Sequence, residues 1–174
     1  MSVPNSPLGT PLGPVVSSAH LAQSSVPALS ELEFALTMAN HAFQRWIMRC
    51  MAAAGVQMSP LEVMILHQVA HRDRAKTLAD LCLVLNIEDT HLANYAIRKL
   101  TAQGLVEVER RGKEKAVRIT ASGTALCTRY AQIREALLLP GVGPVDDADM
   151  SRLAGLLRAL SGTYDQAARS AAAL

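Results

Sequence analysis

Four polar side chains recur at helical spacing between positions 91 and 98, and their chemistry suits the reading of nucleic-acid bases. His91, Asn94, Tyr95 and Arg98 stand at i, i+3, i+4 and i+7, which places them on one face of a helix. An Asn amide fits the N6/N7 edge of adenine, and an Arg guanidinium fits O6/N7 of guanine. Thr90, at the start of the segment, can bind a phosphate with the help of free backbone N–H groups. The pattern is typical of a helix that enters the major groove of duplex DNA.

A cluster of positive charge lies close to this segment. Residues 98–118 hold seven basic side chains against three Glu, in a chain of 174 residues whose net charge is only +2. Such a local excess is typical of a surface that binds a polyanion, although an ordinary solvated surface would give the same count. The basic residues assigned to DNA binding are Arg98, Lys99, Arg110, Arg111, Lys113 and Lys115.

Two short helices joined by a tight turn are predicted to position the polar face. The first covers residues 78–85 behind a cap at Thr77. It ends at Asn86, a residue type that accepts the left-handed conformation. The second begins at a cap formed by Asp89 or Thr90 and stops before a glycine. Together they predict a helix-turn-helix whose first helix braces the second in the groove.

Alternating apolar and charged residues predict a β-hairpin directly after the second helix. Residues 105–110 and 116–120 form the strands, and residues 111–114 form the tip. The basic side chains of this hairpin would lie along the DNA backbone or in the minor groove. A helix-turn-helix followed by such a hairpin is the winged helix-turn-helix arrangement.

Apolar helices flank this unit on both sides. A seam at spacings of three and four runs from Leu29 to Cys50, within a helix expected from Ser30 to Ala54. Two further helices are expected after Gly123 and after Asp146 or Asp147. A seam this long favours a subunit interface. We therefore predict a mainly α protein with an α/β wing, whose N- and C-terminal helices form a dimerisation domain.

The predicted organisation has three parts. Residues 1–28 hold five of the eight prolines and form a flexible N-terminal arm. Residues 59–120 form the winged helix-turn-helix DNA-binding domain. Residues 29–58 and 121–174 form the helical dimerisation region.

Another helix begins at a capping box. Ser59 can cap, Pro60 occupies the first helical position, and Glu62 completes the box. His67 and His71 stand four residues apart on this helix, a spacing that can bind a metal. A third ligand is not evident nearby in the sequence, so packing or surface roles are the alternative.

Residues 77–123 resemble the MarR family of transcription regulators, and the likeness extends over about residues 30–170. The matching segments are Leu78-Ala79-Asp80-Leu81, Leu100-Thr101-Ala102-Gln103-Gly104-Leu105-Val106 and Ile119-Thr120-Ala121-Ser122-Gly123. The resemblance implies a homodimer made by the terminal helices, with two winged lobes on a near-palindromic operator. The family's wing usually carries Asp-x-Arg where this chain has Arg110 and Gly112. The role of the minor-groove arginine then passes to Arg111 or Lys113, or the wing is shorter.

The resemblance also implies a pocket for phenolic or other aromatic effectors between the DNA-binding lobe and the dimerisation domain. Phe43, Trp46 and Met51 are candidates to line it, with plain core packing as the alternative.

Other function classes find little support. The chain has no Gly-rich phosphate loop, no Gly-x-Ser-x-Gly and no convincing pair of carboxylates, so neither an enzyme nor a cofactor is predicted. No window approaches the ~18 apolar residues of a membrane span, and no secretory signal is present. Cys50, Cys82 and Cys127 form no CxxC pair, which favours a reducing, cytoplasmic compartment; an oxidant-sensing thiolate among them is an alternative to core packing.

The sequence therefore predicts a sequence-specific regulator that binds double-stranded DNA as a homodimer. A winged-helix interaction module that dimerises without binding DNA is the second hypothesis, since the usual wing residues are missing.

Overall fold

The computed structural model describes residues 26–111, 114–143 and 146–174. Its helices are α1 (Pro27–Ala53), α2 (Pro60–Ala70), α3 (Leu78–Leu85), α4 (Thr90–Ala102), α5 (Ala121–Leu137) and α6 (Asp147–Ala171). Its strands are β1 (Lys76–Thr77), β2 (Val106–Arg111) and β3 (Glu114–Ile119), and short 3-10 turns follow α2 and α5. The expected mainly helical, winged helix-turn-helix class is confirmed. Most of the expected N-terminal arm, residues 1–25, lies outside the described residues.

Local capping fixes where the helices of the winged helix-turn-helix unit begin. The Thr77 hydroxyl accepts from the Asp80 N–H at 3.1 Å, and the Asp80 carboxylate accepts from the Thr77 N–H at 2.9 Å. These reciprocal bonds satisfy two N–H groups at the start of α3. They also hold the pKa of Asp80 below its usual value. Asn86 ends α3 at φ +52°, the left-handed conformation expected for it.

Two helices begin earlier than the sequence predicts. α1 starts at Pro27 rather than Ser30, because proline at the first helical position lacks only an N–H that would be unbonded anyway. α5 starts at Ala121, since the Thr120 hydroxyl accepts from the Gly123 N–H at 3.1 Å. Gly123 is itself buried where a Cβ would collide with the Leu105 carbonyl oxygen and the Ile119 side chain.

The sheet is antiparallel, in the order β1-β3-β2. β2 and β3 pair in a register that sets Val108 opposite Val117 and Arg110 opposite Lys115. The pairing extends to Arg111 and Glu114, so β2 lies one residue later than predicted and β3 begins two residues earlier. Gly112 and Lys113 of the predicted tip lie outside the described residues. β1 was not predicted, because two residues are too few to show alternation.

The core is organised around α2, against which α1, α3, α4, α5 and β3 all pack. Its buried apolar residues come from several parts of the chain. The largest are Ile47, Met51, Ile65, Leu66, Leu81, Leu100, Val63, Val69 and Val106. These side chains make α2 the common wall of the winged helix-turn-helix unit and of the flanking helices.

Glu62 is buried at 2% exposure and connects α2 with α4. One of its carboxylate oxygens accepts from the Ser59 N–H at 3.2 Å and closes the expected capping box. The other lies 2.8 Å from the Lys99 ammonium on α4. This carboxylate raises the pKa of Lys99, first through the hydrogen bond and then through its charge. One side chain thus caps the central helix and holds α4 against it.

The helix α6 lies against the amino-terminal half of α1 and the end of α3. The Tyr164 hydroxyl donates to the Glu33 carboxylate at 2.8 Å, and the Asn86 amide donates to Asp165 at 3.3 Å. Much apolar surface on these helices stays exposed, including Leu153 and Leu156 at 54% and 64%. No helix in the described part of the chain combines the length and apolarity that a bilayer crossing requires.

We predict that removing Lys99 alone destabilises the domain more than removing the charges of both Glu62 and Lys99. Lys99→Met should lower the urea midpoint of unfolding, because it leaves a buried carboxylate without its countercharge. Adding Glu62→Gln should raise the midpoint again, since an amide still accepts the Ser59 N–H and carries no charge. Chemical denaturation followed by circular dichroism measures this; a double variant no more stable than Lys99→Met would contradict it.

Candidate nucleic-acid interface

The recognition face expected on α4 points outward. Ala93, Ala96, Ile97 and Leu100 are buried against the core, at helical spacing. The opposite face carries the side chains that the sequence singled out. His91, Asn94, Tyr95 and Arg98 are all exposed, Tyr95 at 57%. The helix therefore presents four side chains with hydrogen-bonding groups to solvent, and in Tyr95 this group is the hydroxyl of an exposed aromatic ring.

A groove separates this face from the wing. It encloses about 530 Å³ between α4, the start of α3 and strands β2 and β3. Its walls are formed by Leu78, His91, Asn94, Ile97, Arg98, Val108, Lys115 and Val117. Polar groups of α4 and a cation of the wing thus line one concave surface. Leu78 and Val108 were missed as its walls, because their apolar side chains give the same pattern as core residues.

The register of the wing places its cations on the groove side. Directly opposed residues of antiparallel strands project from the same face, so Arg110 and Lys115 share the face of Val108 and Val117. On the other face, Glu109 binds the Arg118 guanidinium at 3.1 Å. The acidic residue is thus engaged away from the groove. Lys113 lies outside the described residues, and the side chain of Arg111 is not described.

The start of α4 confirms one of the two predicted caps, but it differs from the prediction in its free N–H groups. Asp89 is the cap, and its carboxylate accepts from the N–H groups of His91 and Leu92 at 2.8 and 3.3 Å. From the sequence we expected free N–H groups beside Thr90 to bind a phosphate. These two N–H groups are not free, because Asp89 already accepts from them. Thr90 itself is exposed at the first helical position. A phosphate contact there would rest on its hydroxyl and would face the negative charge of Asp89.

Lys99, which the sequence assigned to DNA binding, has a partner inside the protein that the sequence did not predict. Its ammonium is bound to Glu62, and it lies 5.6 Å from the centre of the Tyr95 ring. The partner is 37 positions away in the sequence, so local pattern could not reveal the pairing. Lys99 thus contributes to holding α4 in place.

A second cavity of about 470 Å³ lies between α1, α2, the end of α3 and α5. Phe43 forms part of its wall, as the sequence suggested. Trp46 does not line the cavity; it is half-buried and packs against the core cluster that includes Tyr130, a residue of the cavity wall. Met51 is fully buried in the core and does not line this cavity, because it lies one helical turn deeper than Ile47. The walls are Phe43, Ile47, Val63, Met64, His67, Gln68, His71, Leu85, Tyr130 and Arg134.

His67 lies half-buried in this wall. Its ring meets the Tyr130 ring edge-on, with centroids 4.5 Å apart. Within the described residues its Nε2 atom is buried without a hydrogen-bond partner. Burial lowers the pKa of His67, since a desolvated imidazolium is costly. The ring is therefore neutral near pH 7.

The metal and redox alternatives gain nothing from this geometry. In the described ranges, no group of three or more His, Cys, Asp or Glu side chains is arranged to hold a metal with His67 and His71. The Cys50 thiol is buried and donates to the Tyr130 carbonyl at 3.7 Å. Burial raises the pKa of both Cys50 and Cys127, which lowers the thiolate fraction that oxidant sensing needs.

We predict that His67 makes stability depend on pH. Because its folded pKa lies below the ordinary 6.5, the unfolded chain binds the proton more readily. The free energy of unfolding should therefore fall on acidification from about pH 7.5 to about pH 5.5, and recover on return. His67→Phe should flatten this dependence, and His71→Gln, at an exposed position, should keep it. An equal slope in the wild type and His67→Phe would refute the assignment.

Comparisons with known proteins agree with this geometry. Residues 58–123 match the family model described as a winged helix DNA-binding domain. Among curated protein sequences, no significant relative was found. Solved structures similar to the chain include a MarR-family transcriptional regulator from Rhodococcus sp., with a TM-score of 0.63 and 12% identity. The match covers 80% of this chain and 96% of that one.

Two further structures contain bound molecules. CouR from Rhodococcus jostii, bound to p-coumaroyl-CoA, has a TM-score of 0.65 and 12% identity, over 80% of this chain and 95% of CouR. A mutant MarR from E. coli, complexed with operator DNA, has a TM-score of 0.63 and 17% identity, over 79% of this chain and 99% of MarR. The chain therefore contains a winged helix DNA-binding domain within the fold of the MarR-family transcription regulators.

Proposed function

We propose that this protein is a MarR-type transcription regulator that binds a near-palindromic DNA operator as a homodimer and responds to a small aromatic effector. Such a protein acts where the DNA is, so we propose a cytoplasmic location. The proposed partners are double-stranded DNA and a second copy of the chain.

The groove between α4 and the wing carries the DNA-binding proposal. Asn94 and Arg98 have side chains that can pair with adenine and guanine edges, and both border the groove together with Lys115. The major groove is about 12 Å wide and admits one helix, which α4 can supply with its polar face outward. Arg110 and Lys115 on the wing supply the phosphate contacts that fix register. The E. coli MarR mutant, which has this fold, is complexed with operator DNA.

Exposed apolar side chains support the homodimer. They lie on the terminal helices and the end of α5, away from the α4 groove. They include Leu29, Leu32, Met38, Leu137, Met150, Leu153 and Leu156. An apolar surface of this kind favours burial against another subunit. A two-fold dimer then presents two α4 helices at a separation that sets the half-site spacing.

The cavity beside α2 supports the effector. Phe43, Ile47 and Tyr130 offer apolar and aromatic contacts, and Arg134 offers a cation for an acidic group. Its volume of about 470 Å³ suits a molecule of one or two rings. CouR, which shares the fold, binds p-coumaroyl-CoA. An aromatic acid is therefore the effector that we propose for this cavity.

Selection of bound duplexes from a random pool tests the DNA function directly. Enrichment of two related half-sites at a fixed spacing would support both binding and the dimer. The affinity for the selected site should fall with salt, with a slope of log K on log salt of about −0.9 per contacted phosphate. If no duplex is enriched and no salt-dependent binding is found, the dimerising interaction module becomes the better hypothesis.

We predict that Arg98→Ala weakens binding to the selected site by about 1–3 kcal/mol and relaxes preference at one base pair per half-site. Lys115→Ala should instead weaken binding on every sequence alike and reduce the salt slope by about one. Fluorescence anisotropy on the selected duplex and on single-base variants measures both. Equal weakening on all duplexes would assign Arg98 to a phosphate.

We predict that the double variant Leu153→Lys/Leu156→Lys is a folded monomer. Both side chains are more than half exposed within one chain, so lysine should disturb an interface and leave the protomer intact. Ser151→Lys, also exposed and about 200° from Leu153 around α6, is the matched control and should remain dimeric. Sedimentation velocity gives the mass, and circular dichroism checks the helix content. A dimer of the double variant would remove α6 from the interface.

A further inference from the structure

A smaller cavity adjoins the cavity beside α2. It encloses about 240 Å³ at the carboxyl end of α2, beside α3. Gln68 and His71 line both cavities, so the two are neighbours at the last turn of α2. We call the adjoining pair the trench; it follows α2 from Val63 to the turn beyond it. From Val63 to His71 the helix alone spans about 12 Å.

The two ends of the trench differ in chemistry. The inner end is lined by the aromatic and aliphatic side chains of Phe43, Ile47 and Tyr130. The outer end is lined by Arg72 and Arg74, which are both exposed, and by Lys76. The only acidic wall residue among the described ones is Asp80, whose carboxylate accepts from the Thr77 N–H at 2.9 Å. Positive charge therefore predominates at the outer end.

The backbone at the outer end is fixed. The Lys76 ammonium donates to the carbonyls of Val69, His71 and Arg74 at 3.3, 2.7 and 3.0 Å. These bonds close the carboxyl end of α2 and tie the basic turn to it. Arg72 is held at φ +61°, in the left-handed region that side chains rarely adopt. The two guanidinium groups thus project from a constrained turn.

We propose that the trench is a binding site for an elongated amphiphile with an apolar end and an anionic end, the anion being bound by Arg72 and Arg74. This rests on the proposed effector function and extends it, because an aromatic acid that fills only the inner cavity would end near Arg134. Arginine forms bidentate hydrogen bonds with phosphate and with carboxylate, so both groups satisfy the site. The apolar end of the ligand displaces water from the inner cavity. The part of the ligand between its apolar and anionic ends passes Gln68 and His71.

Intrinsic fluorescence provides the measurement, because Trp46 is the sole tryptophan and packs against the core cluster that includes Tyr130 of the inner wall. The full chain is titrated with 6-phenylhexyl phosphate, 7-phenylheptanoate and the neutral 6-phenylhexanol. Phosphate and carboxylate probes distinguish which anion the site prefers. Benzoate serves as the short acid that fits the inner cavity alone. Isothermal titration calorimetry with the same probes detects binding that does not change the fluorescence of Trp46.

The variants separate the two ends. The double variant Arg72→Gln/Arg74→Gln removes both cations and keeps side-chain size, and Arg129→Gln on α5 removes an exposed cation outside both cavities. In the wild type, at least one anionic probe should bind about tenfold or more tightly than 6-phenylhexanol. The double variant should lose this gain and keep its affinity for 6-phenylhexanol, whereas Arg129→Gln should keep both. Arg134→Gln should weaken benzoate and leave the gain from the long anionic tail intact.

Different failures have different meanings. If 6-phenylhexanol and benzoate bind but the anionic tail adds nothing, or the double variant keeps the gain, the extended site is refuted and the proposed effector cavity stands. If none of the four probes binds, both proposals fail. DNA binding by the same samples, measured separately on the selected duplex, reports on the regulator function independently of either outcome.

Discussion

The ion pair between Glu62 and Lys99 is the contact on which the orientation of α4 depends. α2 is the central helix of the fold, and its first turn is closed by the Glu62 carboxylate. The same carboxylate, almost without exposure to water, binds the ammonium of α4. A buried charge is costly unless it is paired, so the pair restricts how α4 can lie on α2. The apolar contacts of Ala93, Ala96 and Leu100 then set the depth, and the polar face of α4 points outward.

The groove beside α4 is concave and polar because residues at helical spacing on α4 face residues paired across the strands of the wing. Helical spacing brings His91, Asn94 and Arg98 to one side, and strand pairing brings Lys115 and Val108 to the other. Neither element alone makes a concave polar surface. In the DNA binding that we propose, the helix would read base edges while the wing contacts phosphates, which are distinct tasks in DNA recognition. Because Asp89 accepts from the N–H groups of His91 and Leu92, side chains rather than the helix terminus would make these contacts.

α2 also forms one wall of the trench that we propose as a ligand site. A single helix thus contacts the recognition helix at its amino end, through Glu62, and the trench along its length, through Val63, His67 and His71. A ligand in the trench would touch α1 and α5 as well, the helices that flank the winged unit. The neutral, enclosed His67 suits an apolar wall, whereas the basic turn after α2 suits an anion. One end of the trench is therefore apolar and the other basic, because His67 comes before the basic turn along α2.

Much of the architecture followed from residues close together in the sequence. The capping boxes at Ser59 and Thr77, the left-handed Asn86 and the outward face of α4 depend on neighbours within one or two turns, so local pattern sufficed to predict them. The pairing of Lys99 with Glu62, the strand β1, the depth of Met51 and the adjacency of the two cavities depend on segments that are distant in sequence. Their contacts form only when the chain packs, because burial and pairing are properties of the assembled core. The sequence by itself determined which helices form and which faces are polar, and the tertiary structure decided which charges are bound internally and which remain on the surface.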